Sequence, residues 1–379
     1  MSAERFDDAV VGAGILGLAH AYHLAKRGRR VVVFERSPRA MGASVRNFGM
    51  LWPIGQPPGA MHRMAMRSRE VWLEVLNAGG IWHEQVGSLH LAYEEDEAAV
   101  LAEFAQAAPD AGYDCALLSP EQVAQRSGAV RMEGLQAGLW SRTETCVDPR
   151  KVIRELPDWL AREFDVHFEF ACAVSEANEG GRLVAGGREW RAGTIYVCGG
   201  DDLHTLFPAL LQASGLQRCK LQMMRTAPVN NWRLGPMLAA GLTLRHYKSF
   251  ESCATLPALR ERYAAQMPEY DRYGIHVMAS QNGAGELVLG DSHEYDGEIE
   301  PFDKQEIDEL VLRYLTTFLA APALRIASRW HGIYVKHPLT SYIVARPAAG
   351  ITVVTGVGGA GMTLSFGLAE QVVNETLGA

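Results

Sequence analysis

A glycine fingerprint near the start of the chain constrains the fold more than any other feature. The apolar run Ala9-Val10-Val11 leads directly into Gly12-Ala13-Gly14-Ile15-Leu16-Gly17. Behind it, Ile15, Leu18, Ala19, Tyr22 and Leu24 recur at helical spacing as far as Lys26-Arg27-Gly28, a basic last turn with a helix-ending glycine. Arg29 to Glu35 then reads as a second strand that closes on an acid, 18 positions after Gly17 and near the ~20 at which a carboxylate meets a ribose in a βαβ nucleotide unit. Strand, glycine turn, helix, strand and acid in this order predict dinucleotide binding. The glycines admit the backbone to a pyrophosphate, the unpaired N–H groups at the helix start face it, and Glu35 accepts hydrogen bonds from a ribose with a free 2′-hydroxyl.

Length and composition narrow what surrounds this unit. At 379 residues the chain exceeds one compact domain, and 48% hydrophobic with 21% charged residues describes a folded protein, not a disordered one. The charge of −8, from 36 basic and 44 acidic residues, comes without any basic stretch, which speaks against nucleic-acid or anionic-membrane binding. Six cysteines (115, 146, 172, 198, 219 and 253) form no C-x-x-C pair, so reduced thiols in a cytoplasm are expected instead of disulfides or structural zinc. The opening Met1-Ser-Ala-Glu-Arg-Phe-Asp-Asp8 is acidic where a signal peptide is basic, and no apolar run reaches the roughly 18 residues of a membrane span. There is no G-x-S-x-G elbow for serine hydrolase chemistry, and the local run Asp291-Ser292-His293-Glu294 does not make a metal site by itself, so no metal is expected.

Three further segments give the chain its family resemblance. After Glu35 the polar loop Arg36 to Leu51 replaces the third strand and helix of a plain nicotinamide domain. Thr194 to Cys198 is an apolar strand running into Gly199-Gly200-Asp201. Ile351 to Thr355 is strand-like and opens through Gly356-Val357-Gly358-Gly359-Ala360-Gly361-Met362-Thr363 into a helical stretch, with only 18 residues left after Gly361 and no room for a second dinucleotide unit. With these segments the sequence resembles the D-amino-acid oxidase, glycine oxidase and sarcosine oxidase family of flavoproteins. The resemblance implies an α/β fold with an FAD-binding, Rossmann-like domain in residues 1–84, 142–216 and 330–379. An α+β substrate domain with an antiparallel sheet would occupy 85–141 and 217–329. It implies FAD contacts at Gly12, Gly14, Ile15, Leu16, Gly17, Glu35 and Arg36, at Gly42, Ala43 and Ser44 by the phosphates, and at Arg46, Asn47, Phe48 and Gly49 toward the ring. Val174 would lie beside the adenine with Gly199 and Gly200 near it, and Gly356, Gly358, Gly359, Gly361, Met362 and Thr363 would face the pyrimidine end. A helix starting there offers its positive dipole to a reduced ring.

Local patterns fill in the frame. Val166 to Val174 and Ala239 to Lys248 read as strands, as does Leu287 to Ser292. Val147-Asp148-Pro149 begins a capped helix with proline at its first position, and Phe302 to Leu319 is amphipathic. The segment Trp330 to Pro338 resembles the strand on which the family carries a carboxylate-binding arginine, and here Tyr334 holds that position. A phenol does not replace a two-point guanidinium clamp. Ser44 to Gln56 is similar to a family branch associated with phosphonate breakdown, which implies oxidation of N-methyl-2-aminoethylphosphonate or 2-aminoethylphosphonate to phosphonoacetaldehyde. Candidate partners for the anionic end are Arg46, His62, Arg63, Tyr247, Lys248, Tyr334 and Lys336.

The reaction implied is hydride transfer from the amine Cα to flavin N5, with oxygen or another acceptor reoxidising the flavin. It demands no general base, and His246 and His293 are the histidines placed to assist. No cysteine lies near Gly332, where covalent relatives attach their flavin, so FAD is expected to be non-covalent. Val288 aligns with the family's oxygen-activating lysine. Two alternatives stay open: an amino acid oxidase acting on sarcosine or glycine, and a non-catalytic flavin-binding or electron-transfer subunit.

Overall fold

The computed structural model describes residues 5–295 and 299–378. Residues 1–4, from which the N-terminal reading above began, and residue 379 lie outside the described residues. The chain builds two large sheets and one small one. At the centre of the first, Arg5–Val11 pairs in parallel with Val31–Glu35 on one side and with Arg188–Val197 on the other. His167–Phe170 extends it in parallel beyond Val31–Glu35. Ile351–Thr355 joins the upper half of Arg188–Val197, also in parallel. Strands of this kind are covered on both faces and read as continuous apolar runs, and Val31–Glu35 and Ile351–Thr355 are buried at every position. One face packs beneath the helices Ile15–Ala25, Ala60–Gly79, Pro149–Phe164 and Gly361–Leu377. On the other face Phe6, Ala9, Val32 and Phe34 pack with side chains of Val174–Asn178 and Arg182–Ala185, which continue the sheet antiparallel beyond Arg188–Val197.

The second sheet has nine strands and is mixed, not purely antiparallel, because Ser88–Ala92 runs parallel to Met237–Ala240. The helices Glu95–Ala111, Leu256–Gln266 and Gln305–Phe318 pack on one of its faces. Its longest pairing joins Gln217–Thr226 to Ile326–Lys336. Residues 330–336, assigned above to the first domain, therefore run in the second sheet. The alternation that buries Tyr334 against Cys219 and Leu221 holds the strand there to its end.

Two expected strands are interrupted for identifiable reasons. The stretch from Val166 to Val174 breaks after Phe170, where Ala171 takes φ 53° and the N–H groups of Ala171 and Cys172 donate to Ser37 and Glu35 carbonyls. The break lets Cys172, Ala173 and Val174 turn onto a cavity wall. The stretch from Ala239 to Lys248 stops at Ala240 and becomes the helical turn Gly241–Leu244. A side chain at Gly241 would overlap the Glu97 carboxylate and the Tyr263 hydroxyl, and the Leu242 N–H donates to Tyr314 Oη at 3.0 Å. The capped helix is present: Asp148 Oδ1 accepts from the Arg150 N–H at 3.0 Å and Pro149 opens the helix. Among the described residues no helix is long and apolar enough to cross a membrane.

Candidate functional site

A cavity of about 630 Å³ lies between the two large sheets. Its narrow end is framed by the glycine fingerprint. Gly14 precedes the Ile15–Ala25 helix without a side chain to cap it, and the Ile15 N–H donates to Ser44 Oγ at 2.9 Å, which draws the Ala43–Val45 turn over the helix start. Glu35 is buried with one carboxylate oxygen accepting from the Ala13 N–H and the other from the Ser37 N–H, both at 3.0 Å. Each oxygen keeps a lone pair for a ligand hydroxyl. Arg36 pairs with Asp202 at 3.0 Å on the same wall.

Of the positions expected to touch a cofactor, Gly12, Gly14, Ile15, Leu16, Glu35, Arg36, Gly42, Ala43, Ser44, Arg46, Asn47 and Phe48 line this cavity. So do Val174, Gly199, Gly200, Gly356, Gly358, Gly359, Gly361, Met362 and Thr363. Gly17 and Gly49 do not. A Cβ on Gly17 would overlap the Gly12 carbonyl, so this glycine serves close packing of helix on strand, and one on Gly49 (φ 72°) would overlap the Val147 carbonyl. The residues present fit a dinucleotide: a Cβ on Gly42 or Gly200 would meet no protein atom within 4 Å, so these glycines leave open space along the wall. The Gly361–Leu377 helix, like the first, starts without a side-chain cap, giving the cavity two positive helix ends.

The wide end is built by the second sheet and the loops beside it. Leu221, Met223, Trp52 and Phe48 form its apolar wall, with Tyr247, Tyr334, His246, His276, Asp291 and His293 among them. Burial raises the Tyr334 and Tyr247 hydroxyls above the usual phenol range, so both remain donors. Desolvation lowers His293 to about 4 and holds His276 well below the ordinary imidazole range; it also pushes Asp291 well above the usual carboxylate range.

Sequence reasoning missed His276, and it set Asp291 and His293 aside as a local run without joining them to His246. His276 and Asp291 face each other through a backbone pair, the Asp291 N–H donating to His276 O at 2.9 Å, and the His293 N–H donates to Tyr273 O at 2.8 Å. That pairing brings His276 to Asp291, and the turn after Gly241–Leu244 adds His246; no spacing in the sequence announces either.

The expected substrate residues divide. Arg46, Tyr247 and Tyr334 line the cavity, with Arg46 Nη1 donating to His331 O at 3.1 Å. Lys336 and Lys248 are not on its wall. Lys336 ends its strand, lays its stem beside Gly358 and donates to Tyr295 Oη at 3.2 Å, and burial, with Lys248 nearby, lowers its pKa. Lys248 is exposed on a short helical turn. His62 and Arg63 line a separate, shallower cavity with Asp110 and Gly112, because the first turn of Ala60–Gly79 faces that way and the His62 ring packs 4.1 Å from the Tyr113 ring. Val288 is likewise buried off the wall, packed with Cys219 and Met223.

A family model described as DAO, FAD dependent oxidoreductase, matches residues 7–375. Glycine oxidase of Bacillus licheniformis is 31% identical over 102 residues, 25% of this chain and 28% of that protein. Peroxisomal sarcosine oxidase of Homo sapiens is 27% identical over 163 residues, 42% of this chain and 41% of that protein. The chain thus aligns with less than half the length of these curated relatives. The crystal structure of glycine oxidase from Geobacillus kaustophilus superposes with a TM-score of 0.77 at 18% identity, covering 99% of this chain and 95% of that one, a likeness of fold.

Proposed function

We propose that this chain, which belongs to the DAO family of FAD-dependent oxidoreductases, oxidises a small amine that carries a phosphonate, N-methyl-2-aminoethylphosphonate or 2-aminoethylphosphonate. The observation that carries the substrate reading is the wide end of the cavity. Tyr334 stands there in place of a guanidinium, and among the described residues Arg36 and Arg46 are the only arginines or lysines on the wall. A planar carboxylate suits a two-point clamp. Separate hydroxyls at Tyr247 and Tyr334 suit a headgroup with three oxygens spread in space. Arg36 is engaged with Asp202 at the opposite end.

FAD, when bound, supplies a two-electron acceptor for the amine's C–H bond. The chain's own residues do the rest. The starts of Ile15–Ala25 and Gly361–Leu377, with the Ala43–Ser44 turn, would hold the pyrophosphate and the pyrimidine edge, and Glu35 the ribose. Cys172 and Cys198 line the cavity at the narrow end, and burial keeps the Cys198 thiol protonated, with a pKa of about 12, in keeping with non-covalent FAD. Leu221, Met223, Trp52 and Phe48 exclude water around the reacting carbon and favour the neutral amine over the ammonium ion. Tyr247 and Tyr334 fix the headgroup and hence the direction in which the C–H bond points.

The relatedness to glycine and sarcosine oxidases favours a second reading, an amino acid substrate bound through Arg46. Anaerobic bleaching of the bound flavin separates the readings. Fast, saturable bleaching by the two phosphonates but not by sarcosine or glycine is expected. Bleaching by the carboxylates alone replaces the substrate, and no bleaching by any of them reopens the reading of the chain as an amine oxidase.

A further inference from the structure

Three histidines far apart in the chain meet at the wide end of the cavity. His246 follows the helical turn Gly241–Leu244, His276 precedes the strand Met278–Gln281, and His293 follows the strand Leu287–Gly290. Their ring centroids lie 3.8 Å (His246–His276), 4.6 Å (His246–His293) and 5.1 Å (His276–His293) apart. One ring nitrogen from each falls within 4.8 Å of the other two. Asp291 enters the same group, with Oδ1 3.0 Å from His276 Nε2 and Oδ2 3.8 Å from His293 Nε2.

The polar atoms of this group are not satisfied by one another. Asp291 Oδ1 and His276 Nδ1 are buried without a hydrogen bond, so the close approach of Oδ1 to His276 is not aligned as one. Buried polar atoms in this condition ask for a missing partner. The His293 ring, by contrast, is fixed: its Nδ1 lies 3.0 Å from the Gly274 carbonyl. Nδ1 therefore carries the proton and Nε2 turns a lone pair toward Asp291 and the other rings, the orientation that backbone carbonyls impose on metal-bound imidazoles.

We propose that His246, His276 and His293, together with Asp291, bind one divalent transition-metal ion at the wide end of the cavity. Three imidazoles and a carboxylate suit Zn²⁺ or its neighbours in the first row, not Mg²⁺ or Ca²⁺. Tetrahedral bonds of ~2.0–2.1 Å put ligand atoms about 3.4 Å apart, so nitrogens within 4.8 Å of one another would have to draw in by little more than 1 Å to share an ion. His246 opens into the cavity, which places the ion where an anionic headgroup would end. Its charge would serve there beside the single arginine on that part of the wall, Arg46, and this last step rests on the phosphonate reading. The site itself does not.

The test uses the FAD-loaded protein, treated with chelator and dialysed against Zn²⁺ or Co²⁺ alone, with bound metal counted by elemental analysis and Co²⁺ read in its visible bands to the red of the flavin. One ion per chain is expected. His246→Ala, whose side chain faces open space, and Asp291→Asn, which keeps its volume, should each weaken metal binding by about 10- to 100-fold or more, with flavin content and absorption unchanged as the control for folding. If either variant loses its flavin, His293→Gln takes its place under the same control. Retention of no metal by the wild type, or equal affinity in the flavin-loaded variants, overturns the site. The two readings fail separately, since metal is counted without substrate and flavin bleaching by phosphonates is scored on its own.

Discussion

Two glycines on the same nucleotide unit should fail in opposite ways. Gly42 lies on the cavity wall with φ −80° and ψ −152°, a conformation open to any residue, and a Cβ there meets nothing within 4 Å. Gly42→Val therefore leaves the apoprotein's melting temperature unchanged while its methyl groups occupy the space of the pyrophosphate. Losing one hydrogen bond to a charged group costs about 1.5–3 kcal/mol, which is roughly a 10- to 150-fold loss of FAD affinity. Gly17 is the reverse case. A Cβ there overlaps the Gly12 carbonyl, backbone against backbone, so Gly17→Ala must push the helix off the strand at about 1–3 kcal/mol or more and lower the melting temperature even without cofactor. Titrating each apoprotein with FAD by flavin fluorescence, alongside its thermal unfolding, reads both quantities. Wild-type FAD affinity in Gly42→Val would refute the placement of the pyrophosphate along this wall, and a destabilised Gly42→Val apoprotein would refute the open space.

Further tests follow from single contacts. Tyr334→Phe removes a donor from the wide end and should lower kcat/KM by roughly 10- to 150-fold, the loss of a hydrogen bond to a charged group, with the flavin spectrum unchanged. Lys336→Met should leave KM unaltered, since its ammonium donates to Tyr295 off the cavity wall; a raised KM in steady-state assays would return it to the site. Burial lowers His20 and His23 to about 4, whereas unfolded imidazoles titrate near 6.5. Between those values the unfolded chain binds more protons, so their contribution is complete above about pH 6.5 and drains as pH falls toward 4, by up to roughly 1.4 kcal/mol per pH unit for each histidine. Urea midpoints of the wild type and His23→Gln across that window check the slope, which should be shallower in the variant. Asp148→Ala should cost about 1 kcal/mol of stability by removing the cap of Pro149–Phe164, seen as a lower urea midpoint.

What the sequence discloses is what local chemistry dictates. The turn at Gly12, the acid at Glu35, the capped helix at Asp148 and the apolar stripe of Gln305–Phe318 each depend on neighbours within a turn or two. The break at Ala171 depends on Ser37 and Glu35, which lie more than a hundred residues away, and no local pattern carries it. The wide end of the cavity is harder still. His276 reads as a lone polar residue in an apolar run until Asp291 is paired against it. Basic residues mislead for the opposite reason: Arg63, Lys248 and Lys336 have the right charge for an anion, but helix phase and strand end aim them elsewhere.

The Gly361–Leu377 helix has a consequence for how the protein is made. It packs between the Ile15–Ala25 and Ala60–Gly79 helices, where the Trp72 indole donates to Met362 O at 2.8 Å and His23 meets Phe366 O at 2.9 Å. The first helix meets Val31–Glu35 and Pro149–Phe164 early, but the part covered by Gly361–Leu377 stays open while some 350 residues are added, roughly 20 to 70 s at ordinary synthesis rates. A site framed by both helix starts is complete only once the later helix has docked. Until then part of the apolar side of the first helix is unsealed, the kind of surface that makes a nascent chain prone to association.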